Sequence, residues 1–369
     1  MKPLVGPTFG SYSPEEVQWL LTDLSGFALE ADTAQRERRI QSGAAHYAES
    51  LPVEFQPDVE YRKLFAEVLH DSADRLATAV GRVTELVLAE RGSRIVLVSL
   101  ARAGTPVGIL MRRWAATQRG VRPPHYAVSI VRGRGIDTAA MDYLARRYDP
   151  ASIVFVDGWT GKGAISRELS AALDGYHAAT GIRFSDDLAV LADPGHSART
   201  YGTREDFLIA SACLNSTVSG LVSRTVLNRD ILTAGQFHGA KFYRELADDD
   251  VSNHFLDIVS GRFGAVRAAV DTDLPDLLAA DRTPTWSGLA TVRRLCAAYG
   301  VSDPNFVKPG IGETTRVLLR RLPWRVVVRD LDAPEHRHIR MLAAARGVPI
   351  AVDPELAYSC VGLIKVIDT

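Results

Sequence analysis

Four short apolar runs mark the middle of the chain: RIVLVSL at 94–100, HYAVSIV at 125–131, SIVFVDG at 152–158 and DLAVLAD at 187–193. Each is rich in β-branched residues and apolar nearly throughout rather than alternating, which predicts strands buried on both faces. Between the first two, and after the third, PVGILMRRWAATQRG and AISRELSAALDGY place apolar residues at helical spacing. Strands separated by amphipathic helices predict an α/β fold with a parallel sheet, whose ligands bind beyond the carboxyl ends of the strands.

Upstream, SYSPEEVQWLL predicts a helix start, with Ser13 as cap, Pro14 in the first turn and Glu16 completing a capping box. Helical spacing continues through EVLHDSADRLATAVGRVTELVLAERG, which Gly92 ends. Residues 1–90 therefore read as a helical N-terminal segment packed on a core of 91–270. The mixture of acids, prolines and small residues in DTDLPDLLAADRTPTWSGL marks a linker at 271–290. Beyond it, PWRVVVRDLDAP and GVPIAVD predict strands, and ETTRVLLRRL and PEHRHIRMLAAARG predict helices. Residues 291–369 thus form a second, small α/β unit.

With 46% hydrophobic and 24% charged residues, the 369-residue chain has the composition of a globular protein of two or three domains. A formal net charge of −1 argues against a basic footprint over the whole molecule and leaves room for a local one. Cys213, Cys296 and Cys360 are odd in number and far apart, which predicts a reducing compartment, with neither a disulfide framework nor a zinc site. No stretch reaches the ~20 apolar residues of a membrane span, and the N-terminus lacks a signal-peptide pattern. The expectation is a cytoplasmic protein without membrane partners.

The candidate chemistry sits at the end of the third strand, in Asp157-Gly158-Trp159-Thr160-Gly161-Lys162-Gly163. Glycines let backbone N–H groups approach an anion closely, and the helix that follows points its positive end at the same place. A Walker loop is excluded by Val156 at its first glycine position and Gly163 at its hydroxyl position. A dinucleotide fingerprint begun at Gly161 meets Ser166 where its third glycine belongs. A second strand–turn–helix passage, VLVSLARAGTPVGIL at 96–110, offers Arg102, Ala103, Gly104 and Thr105.

An apolar strand, an acid and a T-G-containing loop, preceded by that second loop, resemble a type I phosphoribosyltransferase core. IQSGAAHYAESLPVE, SACLNSTVSGLVSRTVLN and GQFHGAKFYREL narrow the resemblance to members associated with bacterial tellurite-resistance and stress operons, which carry a C-terminal Pelota-like RNA-binding domain. It implies Mg²⁺-dependent transfer between phosphoribosyl pyrophosphate and an unknown base, with the metal held through the substrate. Asp157 would hold the ribose hydroxyls. Gly158, Thr160, Gly161, Lys162 and Gly163 would hold the 5′-phosphate, and Arg102 with Ala103, Gly104 and Thr105 the pyrophosphate. Asp193 would orient the metal or the ring, and Arg132 and Arg134 would belong to a lid. Many members carry a second acid where this chain has Gly158, which keeps open a rival reading as a non-catalytic nucleotide or phosphoribosyl pyrophosphate sensor coupled to RNA binding. Some relatives carry the label of cysteine protease, under which Cys213 and His238 could be argued as a pair, but the sequence shows neither their proximity nor an orienting third group, and that reading is set aside.

NFVKPGIGETTRVLLRR is similar to the kink-turn-binding and Pelota group. That resemblance implies contact with structured RNA through Lys308, Gly310, Gly312, Glu313, Thr314, Thr315 and Arg316, although relatives commonly place asparagine where this chain has Gly312. It leaves room for a homodimer.

Overall fold

The computed structural model describes residues 1–31, 36, 38–40, 42, 43, 46–54, 56 and 58–365. Residues 41, 44 and 45 of the segment at 40–54, and 366–369 of the C-terminal unit, lie outside them. The central sheet contains β1 (Gln18–Trp19), β2 (Val96–Ala101), β3 (His125–Val131), β4 (Ile153–Trp159), β5 (Leu188–Ala192) and β6 (Thr200–Thr203). Their order is β1-β3-β2-β4-β5-β6 and every neighbouring pair is parallel; Gly135–Ile136 adds an antiparallel pair to β3. The apolar runs at 94–100, 125–131, 152–158 and 187–193 are thus β2 to β5, and the fold is mixed α/β with a mostly parallel sheet.

Both faces of the sheet are covered, which is why those runs do not alternate. Leu97, Val154 and Val156 face a cluster that includes α1 (Val59–Arg91) and α2 (Gly104–Arg119). Val98, Leu100 and Phe155 face the opposite cluster, with α3 (Thr138–Ala145) and α4 (Ala164–Thr180). Against α1 and α2 pack α5 (Ser252–Ser260) and α6 (Phe263–Ala279). Gly81 in mid-helix α1 has a steric reason: a Cβ there would stand 2.7 Å from the Trp114 ring, which is fully buried.

One expectation is corrected here. The helix expected from Ser13 is absent; 14–16 form a turn, and Gln18 and Trp19 pair with Tyr126 and Ala127 as an edge strand. Partner strand and buried Trp19 override a local capping pattern, as tertiary context does for weak helix signals. The stretch 271–290, expected as a linker, carries the end of α6, which runs to Ala279 with Pro275 inside it, and the start of a further helix at Ser287.

The C-terminal unit holds α7 (Ser287–Tyr299), β7 (Val307–Pro309), α8 (Ile311–Arg320), β8 (Pro323–Val328), α9 (Arg337–Ala345), β9 (Ile350–Val352) and β10 (Cys360–Ile364). Its sheet runs β7-β10-β8-β9, with only β8 and β9 parallel. Among the described residues no helix is long and apolar enough to cross a membrane.

Candidate functional site at the strand ends

The carboxyl ends of β2, β4 and β5 deliver Arg102, Asp157 and Asp193 to one edge of the sheet. Asp157 is 9% exposed, and its Oδ1 accepts from the Gly158 N–H at 2.7 Å. Burial lifts its carboxyl to about 7, against the lowering effects of that N–H and of Arg316. Arg102 donates to Glu54 Oε1 at 3.3 Å and Asn215 Oδ1 at 2.7 Å. Gly104 lets α2 start hard against β4, where a Cβ would stand 2.4 Å from the Val156 carbonyl oxygen. Thr105 is fully buried, and its hydroxyl has no hydrogen-bond partner. Ala103 flanks that helix start and lies against Gly158, whose Cβ would meet the Ala103 carbonyl oxygen at 3.2 Å.

The glycine loop at 158–163 is roofed by the C-terminal unit. The Gly161 carbonyl accepts from the Tyr358 hydroxyl at 3.0 Å, and a Cβ on Gly161 would press on Pro309 at 3.2 Å. The Lys162 ammonium donates to the carbonyls of Pro304 and Val307. Burial, then the like charges of Lys308 and Arg132, lower its pKa to about 7. Gly163 opens α4 with φ of 70°, beside Trp286 and Ser197. The loop glycines therefore have a packing account: another part of the chain, rather than a ligand, makes the close approach.

Asp193 organises the neighbouring turn. It is fully buried and accepts from Thr160 and Arg204, from the Ser197 N–H at 2.9 Å, and from the Ala198 N–H at 3.0 Å. Its lone pairs are committed within the protein. The arginine loop is likewise held: the Arg132 N–H donates to the Tyr47 hydroxyl at 2.8 Å, while Gly133 and Gly135 donate to the Glu168 carboxylate. Arg134 is exposed.

The residues expected to meet RNA face inward. Asp206 accepts from the Ile311 N–H at 3.0 Å and the Ser359 N–H at 2.8 Å, and burial raises its carboxyl to about 6. A Cβ on Gly310 would meet Asp206 Oδ1, and one on Gly312 would meet Ala212 Cβ, both at 3.2 Å. Thr314 and Thr315 are fully buried and donate to the Gly310 and Ile311 carbonyls within α8. Glu313 and Arg316 pair at 3.1 Å, with the guanidinium over Trp159, and Lys308 lines a 210 Å³ cavity with Arg132 and Lys162.

Beneath α8 lies a tight turn at 210–213 that ends on Cys213, which is fully buried. Two residues on, Asn215 holds Arg102. Nearby, burial and then the like charges of Arg36, Arg102 and Arg321 lower Arg224 to about 9. His238 lines a separate cavity with Asp137, its Nδ1 2.9 Å from Ser129 Oγ and its backbone N–H donating to Asp137 Oδ2 at 2.6 Å. Sequence reasoning missed Asp206, Glu54 and Tyr358, which stand in no recognisable spacing. Among the described residues, no group of three or more His, Cys, Asp or Glu could hold a metal ion.

Residues 10–260 match the family described as tellurite-like stress resistance cysteine protease StiP. Residues 286–366 match the PELOTA RNA binding domain. The chain is 35% identical over 370 residues to cysteine protease StiP of Acinetobacter baylyi, covering 96% of this chain and 94% of that protein. No solved structure matches. The stress-resistance and Pelota parts of the sequence reading agree with these matches. The type I phosphoribosyltransferase identity does not; with it fall the transferase activity, its place in nucleotide metabolism, and phosphoribosyl pyrophosphate and a base as partners. The alternative of a non-catalytic nucleotide or phosphoribosyl pyrophosphate sensor falls too, since both protease matches describe an enzyme. A strand, an acid and a glycine loop leading to a helix are shared by many α/β proteins, and that pattern does not specify a ligand.

Proposed function

We propose, for a chain that belongs to the tellurite-like stress resistance cysteine protease family, a thiol-dependent hydrolysis of peptide bonds with Cys213 as nucleophile. One observation carries the choice: of the three cysteines, only Cys213 falls within residues 10–260, the span matched by the protease family. Its surroundings support the role. The turn that ends on it adjoins Asn215 and Arg102, groups of the polar and positive kind that stabilise the oxyanion of acyl transfer. The thiol sulfur would attack a peptide carbonyl and release the amine, and water would then cleave the thioester. Cys213 is fully buried and its neighbour Ala212 lies against Gly312 of α8, so turnover would require the C-terminal unit to move from the turn at 210–213. We read that unit as an RNA-binding domain, and the three free cysteines support a cytoplasmic setting.

The test is cleavage of unfolded casein and of a mixed fluorogenic peptide library by wild type, Cys213→Ser, Cys296→Ala and Cys360→Ala. Cys213→Ser is expected to lose at least about 10³-fold in rate, the scale for removal of a nucleophile, while Cys296→Ala keeps it. Full activity in Cys213→Ser, or none in the wild type, overturns the proposal.

A further inference from the structure

The segment of the C-terminal unit with the expected RNA chemistry, Lys308 to Arg316, is turned against the core. Ile311 is bound to Asp206, Gly312 lies on Ala212, and Arg316 covers Trp159. A nucleic-acid strand has no room there while the unit is docked. A different surface is open. Trp324, at the start of β8, is 37% exposed, whereas Trp19 and Trp114 are fully buried. Tyr299, the last residue of α7, meets it edge to face, with ring centroids 6.2 Å apart and planes at 87°. The Arg325 guanidinium lies 5.7 Å from the Tyr299 centroid and 5.9 Å from that of Trp324. Its Nε is buried without a hydrogen-bond partner. Exposed Lys365 adjoins the group, its N–H donating to the Leu322 carbonyl at 2.8 Å.

An exposed indole, a half-buried phenol and a guanidinium shared between them form the kind of surface on which unpaired bases stack, because every base has a π-face. A cation over an aromatic ring adds attraction of its own. We propose that Tyr299, Trp324 and Arg325 form a stacking platform for single-stranded RNA, with Lys365 meeting the phosphates. The proposal rests on reading the C-terminal unit as an RNA-binding domain, and it moves the contact from Lys308–Arg316 to the open surface at Trp324.

The experiment titrates the full-length protein with a fluorescein-labelled single-stranded oligonucleotide of about twelve mixed ribonucleotides at fixed low salt. Base stacking predicts that Trp324→Ala weakens binding about ten- to a hundredfold. Trp324→Phe, which keeps a ring, is expected to retain most of the affinity and to control for folding, while Lys308→Ala stays within about threefold of wild type. RNA is also expected to quench tryptophan emission in wild type and not in Trp324→Phe. Equal affinity in Trp324→Ala and wild type overturns the platform, and loss in Lys308→Ala alone overturns it while leaving the RNA-binding reading intact. Absence of RNA binding by the wild type overturns both.

Discussion

Asp157 is a carboxylate that the fold holds at a cost. Its pKa is raised to about 7 by burial, so the folded protein binds its proton more tightly than the unfolded chain does. For a raised acid, the stabilising contribution is complete below the unfolded value near 4 and is lost as pH rises toward 7. Asp157→Asn, which cannot ionise, is therefore expected to match the wild type in stability near pH 4. It should exceed the wild type by a few kcal/mol, in order of magnitude, above pH 7. Denaturant unfolding of both proteins at pH 4.5, 6 and 8 checks this; a constant difference across that range counts against it. The sequence identified Asp157 correctly as an acid delivered by a buried strand to the sheet edge. It did not reveal that Arg316, far along the chain, would approach that carboxylate, because no local spacing records such a contact.

At the scale of elements, the two-sided burial of β2 to β5 was legible because continuous apolar runs of strand length admit few other uses. The edge strand β1 was not, since two residues held by β3 leave no period to read. The glycine loop was legible as a place of close approach, but not as to what approaches. Gly163 carries the strictest demand. Its φ is 70°, and a Cβ would stand 2.3 Å from Trp286 and 2.7 Å from Ser197. Gly163→Ala is expected to displace the start of α4 and cost at least about 2 kcal/mol, combining left-handed strain with overpacking. A fall in unfolding midpoint with a change in the near-ultraviolet tryptophan signal is the measurement. An unchanged midpoint means that Trp286 moves aside freely.

For the molecule as a whole, the docking of the C-terminal unit sets what solvent can reach. Asp206 is the polar clasp, accepting from Ile311 and Ser359 on separate elements. Asp206→Asn replaces one accepting oxygen with a donor that faces those N–H groups. It is expected to loosen the unit and raise the rate of iodoacetamide labelling at Cys213 several-fold, read by peptide mass spectrometry. Labelling no faster than wild type shows that the clasp does not guard the thiol. Both units were legible in the sequence as separate α/β patterns. Their mutual orientation was not, because it depends on single polar contacts such as Lys162 with Pro304 and Tyr358 with Gly161.

The reach of Lys162 has a consequence for the order in which the protein is made. Its partner carbonyl on Pro304 lies 142 residues later in the chain. At roughly 5–20 residues per second of synthesis, Lys162 is made some 7–30 seconds before that carbonyl. During that interval the lysine lacks this partner, and the turn at 210–213, made later but still ahead of α8, has no roof. A newborn core thus passes through an open form that docking of the C-terminal unit then closes.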